Sequence, residues 1–329
     1  MENNHITSVH DDFAEDPLSS VGQGTHQANK VIVQFLMERV PEFRELQEGW
    51  DNPQGDQYFH RQRHRADRAN ARTARFFYHM MQQIGKELHR AVGAFAIQND
   101  SLTQPMILDM CMAPGGFLAT ALELNPRAHA VGFNMGVTEV PVGHPDHGEF
   151  LPQQLKPDDL FDLVICDGQV LRTHFRADYR ERRESRRLIL TQLSLGLEHT
   201  RPGGTMVVLL HKLEAWDTVL LLHVFGKFAT VRLFKPRVSH AKRSSFYLVA
   251  RDIQSQQTAA AHAIGNWKSI WKAATLGTEE EYWKTIRKAE PSVEELLGEF
   301  GSELIRLGKD IWATQARALA KAPFIKQQS

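Results

Sequence analysis

The stretch Met106–Phe117, reading M-I-L-D-M-C-M-A-P-G-G-F, constrains the fold of this chain more than any other. Its apolar start suits a buried strand. Pro114-Gly115-Gly116 suits a tight turn at which a ligand can approach the backbone closely. Phe117–Leu124 then reads as the start of a helix. A strand, a glycine turn and a helix in that order present free backbone N–H groups at the mouth of an α/β sheet. An ordinary strand–turn–helix join looks the same in isolation, so the rest of the chain has to decide.

The chain is long enough for one substantial domain with extensions, at 329 residues. Its 42% apolar and 24% charged residues are a globular balance. No apolar run reaches membrane length, and the polar start M-E-N-N-H-I-T-S lacks a secretory pattern. The two cysteines, Cys111 and Cys166, fit a reducing compartment rather than a disulfide scaffold, so an intracellular setting, cytoplasm or nucleus, is expected. Lysine plus arginine equals aspartate plus glutamate, 39 each, so global charge does not argue for a nucleic-acid partner and leaves only local patches. No G-x-G-x-x-G follows the first strand and no G-x-x-x-x-G-K-S/T occurs, which weighs against nicotinamide and phosphate-loop chemistry. His144, Asp146 and His147 share a loop without a fourth ligand, so no metal site is expected.

Residues 1–26 read as a polar leader. Ala28–Arg39 is apolar at Val31, Ile32, Phe35 and Leu36, which predicts a helix stopped near Pro41. A polar connection over 48–56 leads to a long helical stretch from Tyr58 to Ala96, basic first, then carrying Phe76, Phe77, Met80, Met81, Ile84 and Leu88 at helical spacing. From residue 106 strands and helices alternate. Strands are expected at Met106–Met110, Ala128–Phe133, Phe161–Cys166, Thr205–Leu210, Ala229–Phe234 and Ser245–Ala250, with a third strand poorly marked within 136–154. Arg201-Pro202-Gly203-Gly204 reads as a turn. Helices are expected at Arg186–Leu197 and Asp217–Phe228, giving a mostly parallel sheet covered on both faces. Residues 254–329 read as a helical extension whose Trp267, Trp271, Trp283 and Trp312 suit core packing, a partner or a ligand. The expected division is 1–57 polar leader and helix, 58–253 main α/β domain with its core at 106–250, and 254–329 helical extension.

Three strand ends should meet at one cleft: Asp109 before the glycine turn, Asn134 after the second strand, and Asp167 after F-D-L-V-I-C. Four segments in order, D-M-C-M-A-P-G-G-F (109–117), F-D-L-V-I-C-D-G (161–168), R-P-G-G-T-M-V-V (201–208) and K-P-R-V-S-H-A-K-R-S-S-F-Y-L-V-A (235–250), resemble the FtsJ-like (RrmJ-type) family of S-adenosylmethionine-dependent ribose 2′-O-methyltransferases. The resemblance runs from about Ile107 to Ala250. It implies a Rossmann-like class I methyltransferase fold, with seven strands in the order 3-2-1-4-5-7-6 and the last antiparallel, flanked here by helical N- and C-terminal extensions. It also implies that S-adenosylmethionine is the cofactor. Asp109, Cys111, Ala113, Pro114, Gly115, Gly116 and Phe117 would line its site, with Asp167 beside it, and Asn134 would stand where an acid commonly holds the ribose.

The resemblance further implies a Lys-Asp-Lys-Glu tetrad around the target hydroxyl. Asp167 matches its aspartate. The first lysine falls near Phe77–Met80, where no lysine stands; the second falls on Leu209 and the glutamate on Ser245. His211, on the same strand face as Leu209 by period two, is a replacement acid–base group, and Lys212 and Tyr78 are further candidates. A capped strand end and a solvated lysine are the plain alternatives. Arg172, Arg176, Lys235, Arg237 and Lys242, with the arginines of 180–187 and 61–75, would form a basic rim for RNA phosphates; surface pairing with Asp178, Glu181 and Glu184 is the alternative. Three functional readings follow: ribose methylation of RNA, methylation of another acceptor including a small molecule, or a pseudoenzyme that keeps the fold to bind RNA or a protein. No membrane association is expected, and the C-terminal extension is a candidate protein-binding element.

Overall fold

The computed structural model describes residues 22–50, 55, 57–62, 71–98, 103–132, 155–170 and 178–325. Asn134, Arg172, Arg176 and the loop with His144, Asp146 and His147 lie outside the described residues.

Six strands form one sheet in the order β2-β1-β3-β4-β6-β5: β1 Met106–Asp109, β2 His129–Gly132, β3 Phe161–Cys166, β4 Thr200–His211, β5 Thr230–Phe234 and β6 Ser245–Ile253. β2, β1, β3 and β4 pair in parallel, while β6 runs antiparallel to both β4 and β5. This is the Rossmann-like methyltransferase order that the resemblance implies, read without its third strand, whose place between β2 and β3 falls in the undescribed 133–154. The four-residue turn expected at 201–204 is instead the beginning of β4. Gly203 at φ 83° and a register shift at Gly204 let the strand bend there without leaving the sheet.

Alternating side chains along the strands build two cores. Ile107, Leu163, Ile165, Val207, Tyr247 and Val249 point to one face, where α3 (Ala71–Val92) and α4 (Gly116–Leu124) cover them with Ile84, Leu88, Phe117 and Ala121. Leu108, Val164, Cys166, Met206, Val208, Phe246 and Leu248 point to the other. There they meet α5 (Glu184–Glu198) and α6 (Trp216–Gly226), and a larger apolar cluster continues into α1 (Gly22–Arg39), α2 (Pro41–Trp50) and the C-terminal helices. The helical stretch expected up to Ala96 ends at Val92, because Gly93 takes φ 66° and closes the last turn on His89.

The C-terminal helices are α7 (Thr258–Leu276), α8 (Glu279–Ala289) and α9 (Val293–Ala320). Two capping boxes, Thr278 with Glu281 and Ser292 with Glu295, start α8 and α9. The tryptophans pack inward: Trp312 lies edge-on to Phe43 at 5.4 Å and Trp267 lies 5.8 Å from Phe225. Three of the arginines expected on an RNA rim, Arg183, Arg186 and Arg187, are engaged here instead. Arg183 pairs with Glu279 and lies over the Tyr282 ring; Arg187 bonds Thr275 and Glu184 near Trp271. Arg186 bridges Asp217 at 2.6 Å and Glu290 at 3.7 Å, and the Trp216 indole N–H donates to Glu290. Once these side chains leave water, only opposite charge and satisfied hydrogen bonds offset the desolvation cost.

Arg186→Ala should therefore lower the unfolding free energy by about 3 kcal/mol, by leaving half-buried Glu290 without a cation beside it. Denaturant melts check this, and an unchanged midpoint would remove Arg186 from the clamp.

Candidate active site

Every candidate group on the strands lies on the α3/α4 face of the sheet and at its carboxyl edge. Asp109 is two residues beyond the core residue Ile107, and Asp167 two beyond Ile165. In the β4–β6 ladder Leu209 stands opposite Tyr247, and His211 opposite Ser245. Asp109, Asp167, Leu209, His211, Ser245 and Tyr247 thus share one face by period two.

The glycine turn takes shape between β1 and α4. The Cys111 N–H donates to the Asp109 carboxylate at 3.3 Å. Gly115 takes φ 90° and caps α4 without help from a side chain, so the first N–H groups of the helix have no intrahelical acceptor. Gly116 has no room for a Cβ, since the Tyr78 carbonyl and Met81 on α3 press against it. That contact locates Tyr78: its backbone supports the turn, and its hydroxyl accepts from Gln82 at 3.4 Å. Ala113 and Pro114 are exposed and joined by a cis peptide bond. Phe117 departs from expectation. Its ring is 1% exposed and packs on Phe95 and Tyr247, so only its backbone can face a ligand.

The electrostatics centre on two carboxyls. Burial raises the Asp109 carboxyl to about 6, against the pull of the Cys111 N–H. Burial and then the nearby Asp109 charge push Asp167 well above the usual carboxylate range. Asp167 Oδ1 is buried and has no hydrogen-bond partner among the described residues. Two carboxyls that repel each other, one with an orphaned oxygen, suit a cationic ligand. S-adenosylmethionine fits, carrying a sulfonium and an ammonium, with Asp109, Asp167 and the α4 N-terminus as the groups to hold it.

Beyond Asp167, Gln169 reaches the His211 ring through its side-chain amide. Ser245 is 3% exposed, yet among the described residues its Oγ has no partner, and neither has His240 Nδ1. Lys212 ends β4 at φ 47°, with its N–H donating to Ser244. Lys235 is not on a rim. It is 4% exposed, and its ammonium is held by the carbonyls of Arg243 and Ser245. Burial lowers it to about 7, with the Glu214 carboxylate opposing. Burial, with Arg243, Lys235 and His211 nearby, lowers His240 to about 4. Of the expected rim, Arg237 and Lys242 remain toward solvent. The Arg237 N–H donates to Glu87, and Lys242 lies 5.9 Å from the Tyr58 ring centre. Gln192, His240 and Glu214 went unnoticed in the sequence. Only a polar Gln within the apolar run L-I-L-T-Q-L-S-L gave a signal.

A mostly parallel sheet in this order, with acids at the ends of β1 and β3 beside a glycine turn, defines a Rossmann-like methyltransferase fold. The model of the FtsJ-like methyltransferase family matches residues 86–253, half of the chain, and the chain belongs to that family. No curated protein matches. Similar solved structures include a protein described as a ribosomal RNA methyltransferase from Plasmodium falciparum (17% identity, 51% of this chain and 94% of that one, TM-score 0.34). They also include an O-methyltransferase family protein from Burkholderia thailandensis (14%, 67% and 76%, 0.32) and alphavirus P23pro-zbd (19%, 54% and 25%, 0.26). No helix among the described residues is long and apolar enough to cross a membrane.

Asp109 holds its proton more tightly folded than unfolded. Its contribution to stability is therefore full below about pH 4 and is lost as the pH rises through about 6. Asp109→Asn should remove that dependence and raise the Tm of the ligand-free protein at pH 7.5 by about 3 °C or more. Thermal melts across pH check this; parallel curves for both proteins would contradict it.

Proposed function

We propose that this chain binds S-adenosylmethionine at the Asp109–Asp167 edge and methylates a ribose hydroxyl of RNA, with Asp167 and His211 as its acid–base groups. The observation that carries the reading is the shared face: Asp167, Leu209 and His211 fall on one face of the sheet at its carboxyl edge, where the glycine turn also lies. When bound, the cofactor supplies a methyl carbon made electrophilic by its sulfonium. A ribose hydroxyl is a weak nucleophile, so the chain must orient it and receive its proton. Asp167, which burial and the Asp109 charge make reluctant to ionise, would become a carboxylate acceptor with a cation beside it. His211, steadied by Gln169, is the nearby group whose ordinary pKa lies close to neutrality. Arg237 and Lys242, the cations of the expected rim that stay toward solvent, are the candidates for holding phosphates of a bound strand.

A second reading, cofactor binding without turnover, is favoured by Leu209 and Ser245. They occupy two positions where the family resemblance puts a lysine and a glutamate, and neither can supply a charge.

The test is methyl transfer from labelled S-adenosylmethionine to capped RNA and tRNA. Wild type should transfer label to ribose, Asp167→Ala should lose at least 100-fold in rate, and His211→Ala about 10- to 100-fold with loss of the limb near neutral pH. Label in Leu209→Lys/Ser245→Glu and none in wild type would favour the second reading. Full activity in Asp167→Ala would overturn the assignment.

A further inference from the structure

Gln192 lies on α5, on the opposite side of the sheet from the cleft, and is fully buried at 0% exposure. Its amide makes a two-point pairing with the backbone of Gly168. The Gly168 N–H donates to Gln192 Oε1 at 2.9 Å, and Gln192 Nε2 donates to the Gly168 carbonyl at 3.1 Å. A second, longer bond from Nε2 reaches the Leu188 carbonyl at 3.5 Å. The Cys166 thiol contacts the Gln192 carbonyl at 3.6 Å.

The pairing has a clear physical occasion. β3 ends at Cys166, so from Asp167 onward the chain has left the ladder and its backbone groups need other partners. The Gln192 amide, with one donor side and one acceptor side, takes the place of a neighbouring peptide at Gly168. The fit also demands glycine there. A Cβ at 168 would run into the Cys111 thiol and come within 3.0 Å of Gln192 Oε1. An uncompensated amide in this apolar setting would be costly, and both of its polar ends are satisfied.

Gly168 lies between one acid–base group of the proposed chemistry, Asp167, and the residue that steadies the other, His211. Asp167 precedes it and puts its carboxyl beside Asp109; Gln169 follows it and meets the His211 ring. We propose that Gln192 is a positioning residue. By pinning Gly168 it fixes both the Asp167 carboxyl and the Gln169–His211 contact, and so sets the geometry of the whole edge from outside the cleft. The link to catalysis rests on the function proposed above, whereas the pinning itself does not.

The experiment uses the full chain with Gln192→Met, which keeps length and apolar bulk but removes the amide, and Gln192→Glu, which keeps the acceptor for the Gly168 N–H. Amide hydrogen exchange is the first readout. In Gln192→Met, exchange at Gly168 and Gln169 should quicken at least 10-fold, while Leu163–Ile165 in β3 stay protected. In Gln192→Glu, protection at Gly168 should largely return. The second readout is NMR titration of the His211 ring, which should shift in Gln192→Met. The third is calorimetry with S-adenosylhomocysteine, whose affinity should fall about 10-fold in Gln192→Met. Where turnover is measurable, kcat should fall with the KM for RNA unchanged.

Unchanged exchange at Gly168, or quickened exchange with an unmoved His211 titration, would overturn the proposal. If wild type binds no S-adenosylhomocysteine, the reading of the cofactor site fails, and exchange and titration still decide on Gln192. If Gln192→Met does not fold, Gln192→Glu decides by the His211 titration alone: loss of the donor should free the Gly168 carbonyl and shift His211, and an unmoved titration in that variant would overturn the proposal.

Discussion

Two carboxyl groups brought together in a place with little water are the constraint on which this molecule turns. β1 and β3 are neighbours running in parallel, so the acids that follow their apolar runs arrive side by side at one edge. Burial alone would favour their neutral forms, and each charge makes the other harder to create. A fold that tolerates such a pair carries a local cost, and a cation set between them relieves it.

The surroundings hold that pair rigidly. Below it, Ile107, Ile165 and Val207 pack against α3 and α4, and Phe117 locks the base of α4 to Tyr247. To one side, Gly116 admits the α3 backbone so closely that the turn has little freedom. To the other, the turn after β4 connects to the C-terminal helices. Burial raises the carboxyl of Glu214, while its backbone N–H, Lys212 and the Trp312 indole of α9 pull it back. The arginines of α5 fasten the same helices from behind. The C-terminal extension is therefore packed into the fabric that supports the edge, through apolar contact and paired charge together.

Much of this was legible in the sequence. Short apolar runs that end in Asp109 and Asp167 mark β1 and β3, and Pro114-Gly115-Gly116 marks the turn, because those signals are local. The sheet order followed from the motif resemblance rather than from any local pattern. What stayed hidden depended on partners far away in sequence. The arginines at 183, 186 and 187 look like a basic rim until Glu279, Asp217 and Glu290 are placed against them. Lys235 looks like a surface cation until β6 offers it carbonyls to bond. Phe117 sits within a cofactor motif, yet its ring goes to the core, since only the helix register decides its direction. Gly203-Gly204 looked like a turn, but a strand with a paired partner on each side absorbs a local bend.

The most direct test of this account is calorimetric titration of the intact protein with S-adenosylmethionine, repeated from pH 5 to pH 8 in buffers of different ionisation enthalpy. The account predicts micromolar binding at pH 8 that weakens as the pH falls through about 6, with protons released on binding near that midpoint, because a cation between Asp109 and Asp167 favours their charged forms. Absence of binding across the range, or binding with no proton release, would contradict the claim that these two carboxyls form the cofactor edge.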